Sequence, residues 1–144
     1  MAVGRDQDDD LHRLAHAAGG LLIAANTLNF GTQGVLAANV DQTTTVSVTC
    51  SNTAAYNVGF DAGTTTGSTV AARLLAGSGA ATVGFQLYSD SARTQIWGNT
   101  VGTDTVSGTG SGTAQVLTVY GRVPSQTSPA AGAYSTTITA TITF

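Results

Sequence analysis

Lysine and glutamate are missing altogether from this chain of 144 residues, only 9% of it is charged, and it has a single cysteine. Each shortage closes off a class of function. With no glutamate, and with Asp61, Asp90 and Asp104 scattered among turn residues, no carboxylate pair can be nominated for acid/base work. The histidines, His12 and His16, sit in the N-terminal segment, away from any candidate serine or cysteine nucleophile, so a triad lacks its base. The glycines from Gly102 to Gly112 neither precede a helix nor include a lysine and do not make a phosphate loop. No enzymatic activity and no cofactor are expected. A net charge of −3 and a pI near 4.8 supply no basic field for nucleic acid. No run of about 18 apolar residues exists, which excludes a spanning helix and membrane insertion by one. Cys50 has no partner in the chain; it is either a small buried hydrophobe, a thiol for another molecule, or the survivor of a lost pair, and burial is the default.

What remains is glycine (18 residues), threonine, serine and alanine. Many β-branched and turn residues with few helix formers indicate one all-β domain with Thr/Ser faces. Residues 1–20 differ from this pattern. Arg5, Asp6, Asp8, Asp9, Asp10 and Arg13 all fall there, and the composition breaks at Gly19-Gly20. Asp8 to Asp10 could cap a short helix through Leu11, Leu14 and Ala15 that Gly19 ends. As a signal peptide the segment fails, being acidic in front and interrupted by glycine. His12 and His16 have the i, i+4 spacing of a metal pair, but without a cysteine or an intervening glutamate they read as solvated, and no metal site is assigned.

From Leu21 onward the chain reads as strands. The last stretch, Tyr134 to Phe144, alternates Ile138, Ala140, Ile142 and Phe144 with Thr137, Thr139, Thr141 and Thr143, the period of a half-buried strand. A regular strand there raises the question of what pairs with its free edge. Leu21 to Phe30 is an apolar extended stretch. Gln42 to Cys50 turns Val46, Val48 and Cys50 inward, and Ala55 to Ala62 does so with Tyr56, Val58 and Phe60. Further strands are expected at Thr82 to Tyr88 and Ala114 to Val123, with short extended pieces at Arg73-Leu74-Leu75 and Thr94 to Trp97. Gly98 to Gly112 reads as a loop or loosely paired hairpin. About seven short strands without a core helix read as a β-sandwich. Tyr88, Trp97 and Tyr120 are the aromatics a glycan surface could use, although on strands such residues more often pack.

Seven blocks then occur in a family order: Thr27-Leu28-Asn29-Phe30-Gly31, Val46-Ser47-Val48-Thr49-Cys50, Tyr56 to Gly63, Phe85 to Asp90, Trp97-Gly98, Val119 to Pro124, and Gly132-Ala133-Tyr134. From about Leu21 to Phe144 the chain resembles the spore coat protein U domain family, which includes major subunits of archaic chaperone-usher pili of the Csu type. The resemblance implies an incomplete immunoglobulin-like β-sandwich in 21–144, completed by a donor strand from a neighbouring subunit, with residues 1–20 in the donor position. It implies identical or related pilin subunits, a periplasmic chaperone and an outer-membrane usher as partners. It also implies an extracellular, cell-surface filament reached via the periplasm and serving adhesion and biofilm formation. A secreted coat protein without pili, or a carbohydrate-binding adhesin domain, are the alternatives. Ile138, Ala140, Ile142 and Phe144 would line one wall of the acceptor groove, and Leu28 and Phe30 the opposite wall. Without a donor, such a groove is expected to expose several large apolar side chains.

Two features depart from the resemblance. The family's usual cysteine before the Leu-Asn-Phe-Gly block, partner of the position held by Cys50, is replaced around Leu21 or Leu22. Residues 1–20 also lack the alternating apolar donor pattern. Both departures lie upstream of about Gly20, so one replacement of the N-terminal segment is expected to explain both. The rival expectation is a genuine variant whose Leu11 and Leu14 dock poorly.

Overall fold

A computed structural model describes residues 2–3 and 22–143. The Asp8 to Ala15 helix, the His12/His16 pair and Phe144 fall outside the described residues.

The strands are β1 (Ala2–Val3), β2 (Leu22–Ala25), β3 (Leu28–Asn29), β4 (Val40–Thr49), β5 (Ala55–Phe60), β6 (Arg73–Ala76), β7 (Thr82–Tyr88), β8 (Val106–Thr109), β9 (Ala114–Val123) and β10 (Ala140–Thr143). They form a five-stranded antiparallel sheet in the order β2-β4-β9-β7-β6, a three-stranded one in the order β10-β5-β8, and a two-stranded pair, β1-β3. The spine is the β4–β9 ladder, which runs through ten register pairs from Val40↔Val123 to Thr49↔Ala114. Its length follows from sequence: both segments are rich in Val and Thr and free of Pro, and β-branched side chains fit the pleated surface.

The expected inward faces are the observed ones. Val46, Val48 and Cys50 from β4 and its end, and Tyr56, Val58 and Phe60 from β5, are buried in one cluster with Ile23, Leu75, Val83, Phe85, Leu87, Val119 and Val123. Where a single strand was expected over Leu21 to Phe30, the chain makes two. At Asn26 it turns, with the Asn26 amide N–H donating to the Thr45 carbonyl at 3.1 Å and the Asn26 side chain donating to Thr45 Oγ1 at 2.8 Å. β2 stays on β4, while β3 leaves it to pair with β1.

The C-terminal stretch also differs in its partners, though not in its parity. Ser135 bridges Ala76 at the edge of the larger sheet, whereas Ala140 to Thr143 pair with Phe60 to Asn57 in the smaller one. Between them Thr136 is buried, and its Oγ1 accepts from the Thr64 amide at 3.2 Å and from Thr65 Oγ1 at 2.9 Å. Alternation was legible because burial sets it; the change of sheet was not, because hydroxyls of Thr64, Thr65 and Thr136 steer it.

The glycine-rich stretch 98–112 contains β8, paired with β5. Glycine is required there by close approach. A side chain on Gly110 would meet the Ser51 carbonyl and Cys50, both rigidly held. At Gly34, by contrast, a Cβ meets nothing within 4 Å and φ is not positive. Gly110→Ala is therefore expected to lower stability by about 1–3 kcal/mol through overpacking, and Gly34→Ala to leave it unchanged or slightly raised. Urea midpoints of the two variants check this; equal midpoints would contradict it.

Candidate strand-addition site

β10 is the edge of its sheet, and β5 is its only partner among the described strands. Its side chains obey the alternation read from sequence: Ile138, Ala140 and Ile142 are 7%, 1% and 2% exposed, while Thr141 and Thr143 are open to solvent. Leu28 and Phe30 are also buried, and they lie over Gly121 of β9, where the missing side chain leaves them room. Ile138 packs instead at Gly63, beside the three-stranded sheet. The nominated residues thus attach to two different sheets within one core, and Phe144 lies outside the described residues.

The expected exposure is not met by Leu28, Phe30, Ile138, Ala140 and Ile142, which are buried. What lacks a partner at β10 among the described strands is main chain. An unpaired row of N–H and C=O groups backed by buried apolar residues suits addition of an extended strand, where main-chain bonds hold and alternate side chains select.

A side chain passed over in the sequence reading stabilises this edge. Arg73, at the start of β6, is fully buried. Its Nε donates to the Asp61 carbonyl at 3.0 Å, Nη2 to the carbonyls of Phe60 at 2.9 Å and Trp97 at 2.7 Å, and Nη1 to Gln86 Oε1 at 2.5 Å. Gln86 in turn donates to the Val70 carbonyl at 2.9 Å. Burial pushes the guanidinium down to about 10, opposed by the charges of Asp61 and Asp104, so it remains a cation at any physiological pH. Arg73 belongs to the larger sheet, and Phe60 and Asp61 end the strand on which β10 is laid, so one planar fork joins the sheets at the base of the candidate edge. Asp61 extends the linkage: its Oδ1 accepts from the Thr139 amide at 3.0 Å and its own amide donates to the Thr139 carbonyl at 3.2 Å. The signal in the sequence was an arginine inside an apolar strand of a chain nearly free of charge.

Trp97 is core rather than surface. It is 1% exposed, meets Phe60 edge-on with centroids 4.7 Å apart, and donates from Nε1 to the Val58 carbonyl at 2.7 Å. Tyr88 and Tyr120 are half-buried cross-strand partners. The Arg93 guanidinium lies 5.6 Å from the Tyr120 ring centroid, which occupies the face a sugar would need. Arg122 holds Asp41 through Nε at 2.7 Å and Nη2 at 3.0 Å, with Arg93 Nε at 3.6 Å. Cys50 is free and buried, and burial pushes its thiol up. The β2–β4 register sets Leu22 opposite Thr49 on the outer face, where it is exposed, while Cys50 faces the core. Among the described residues no group of three or more His, Cys, Asp or Glu could hold a metal ion. An open cleft of about 800 Å³ lies between residues 29–36 and 128–135, floored by Val83 and Tyr134, and none of its lining residues carries a formal charge.

A model of the Spore Coat Protein U domain matches residues 14–141. The chain belongs to the Spore Coat Protein U domain family. Within this family's reach, Protein U of Myxococcus xanthus is 36% identical over 129 residues, covering 82% of this chain and 72% of that protein. Among solved structures, the fold is similar to a chain in the crystal structure of the CsuC-CsuE chaperone-tip adhesion subunit pre-assembly complex, from archaic chaperone-usher Csu pili of Acinetobacter baumannii. The TM-score is 0.62 at 18% identity, over 86% of this chain and 39% of that one. This chain therefore spans about two fifths of its structural counterpart, and at that identity the likeness concerns the fold.

Two outcomes test the site's supports. Replacing Arg73 by Ala removes this donor from the buried carbonyls of Phe60 and Trp97, each at about 1–3 kcal/mol, and from the part-buried carbonyl of Asp61. Arg73→Lys is expected to recover only part of the loss, because a point-charge ammonium does not reproduce the fork; chemical denaturation of both variants measures it. Asp41 is held below its ordinary value of 3.8, first by the Arg122 hydrogen bond and then by the charges of Arg93 and Arg122, against desolvation. A lowered folded-state value means the stabilisation is complete above 3.8 and is lost as pH falls through the folded value. Asp41→Asn should thus cost at most ~1 kcal/mol at neutral pH and progressively less as pH falls below 3.8, as thermal melts across that range will report.

Proposed function

We propose that this chain is a structural subunit of a surface filament, assembled by donor-strand exchange and serving adhesion and biofilm formation. The observation that carries the reading is β10: an edge strand at the described end of the fold, with its apolar face buried and β5 its only described partner. On this reading the two sheets are an incomplete immunoglobulin-like sandwich. A strand from an identical or related subunit completes it along β10 and β3, with Ile138, Ala140, Ile142 and Phe144 on one side and Leu28 and Phe30 on the other. The structural counterpart was solved in a complex with a chaperone before assembly, which supports a periplasmic chaperone as this chain's first partner and an outer-membrane usher as the next. The final location is extracellular, on the cell surface.

A second reading has its own support. The relative named Protein U, and the family's name, favour a secreted coat protein that protects a cell or spore without forming filaments. The glycan-binding reading loses ground, since Trp97 is buried and Arg93 lies over Tyr120.

Protein sheared from the surface of the source cells and run on a denaturing gel, unheated and boiled, separates these readings. Strand-exchanged filaments give a ladder that collapses to one band on boiling. A single monomer band in both lanes favours the coat protein. Ile142→Asp, with folded content followed by circular dichroism, should abolish the ladder; a normal ladder from a folded Ile142→Asp subunit would refute the placement of the acceptor edge.

A further inference from the structure

The pairing of β1 with β3 has no part in that assembly reading. Ala2 lies opposite Asn29 and Val3 opposite Leu28, antiparallel, so the chain's own first residues take one edge that a neighbour's strand is to occupy. We propose that Ala2–Val3 is a cap in cis: in the free subunit it covers the β3 edge, and it is displaced when a strand from another copy is added. The inference rests on the assembly reading above.

Two physical quantities favour it. Val3 and Leu28 are joined by 24 intervening residues of the same chain. The entropic cost of closing a loop of n residues rises only as (3/2)RT ln n, and joining two segments in one chain gives the pairing an effective concentration on the order of millimolar. At micromolar subunit concentration the tethered segment therefore outcompetes the same segment of a second molecule. The contact itself is small, at two register pairs. A donor running the length of β3 and β10 makes more main-chain bonds than the cap, so it wins once a neighbour holds it in place. The cap thus blunts an edge that invites non-specific pairing without obstructing specific addition.

The test is a disulfide across the pairing. Opposed residues in antiparallel strands have Cα atoms about 4.5–5.5 Å apart, inside the range of roughly 4.4–6.8 Å that a disulfide spans. Asn29 is exposed and Ala2 is at the chain's start, while Cys50 is buried out of reach. The Ala2→Cys/Asn29→Cys double variant is kept at micromolar concentration and oxidised with diamide, which takes up the two thiol hydrogens. Intact mass and a non-reducing gel then locate the bridge, with Asn29→Cys alone as the control and circular dichroism verifying the fold. The cap predicts a bridge within the monomer, and slower polymer formation that reductant restores. Bridges between chains, or no bridge while polymers form at the unsubstituted rate, overturn the cap and leave the assembly reading standing. Failure of the unsubstituted chain to polymerise at all overturns the assembly reading and with it the cap's role.

Discussion

The arrangement around Arg73 constrains more of this molecule than any other single contact. A two-sheet fold with few charges has mainly apolar packing to hold one layer against the other, and such packing is tolerant of sliding. A buried guanidinium with bonds to Phe60, Asp61, Trp97 and Gln86 is directional. It admits one relative placement of β6 and β5, because a shift of either layer leaves a desolvated cation short of acceptors. Gln86, itself nearly buried, passes the constraint to the Val70 carbonyl, so the loop between β5 and β6 is fixed as well.

That fixed placement matters at the candidate edge. β10 is laid on β5, and β5 ends at the two carbonyls that Arg73 grips. Asp61 then bonds the backbone of Thr139 as the chain crosses from the larger sheet to the smaller. An edge held this firmly loses little conformational freedom when another strand is added to it, and a rigid template gains more net affinity from the same main-chain bonds than a loose one. The opposing attachment of Leu28 and Phe30 over Gly121 belongs to the other sheet, so the candidate walls are braced independently of one another.

Side-chain parity was the most legible property of the sequence. Thr137, Thr139, Thr141 and Thr143 alternate with Ile138, Ala140 and Ile142, and burial follows suit, because alternation is a direct consequence of strand geometry. Ladder partners were less legible. Nothing in Leu21 to Phe30 announces a turn at Asn26, which exists because Asn26 finds Thr45 across the sheet. β8 was hidden among glycines whose selection answers to neighbours distant in sequence, Tyr56 at Gly108 and Ser51 at Gly110. Arg73 stood out in sequence as a charge in an apolar stretch, but its four acceptors arrive from Phe60, Asp61, Gln86 and Trp97 and were not legible there. The candidate strand-addition residues were named from a resemblance, and for those described, Leu28, Phe30, Ile138, Ala140 and Ile142, the structure adds burial and a division between the two sheets.

The engagement of the described arginines has one more consequence. The chain contains no lysine, so a protease of tryptic specificity can act on it only at arginine. Arg73 is buried in its fork, Arg93 lies over Tyr120 with Nε on the Gly121 carbonyl, and Arg122 is clasped by Asp41. Cleavage at any of the three requires the side chain to be withdrawn from these bonds and the surrounding strand or turn to open. Its rate is then tied to the unfolding equilibrium rather than to surface access. The folded domain of residues 22–143 is in this sense digestion-resistant by composition as well as by stability.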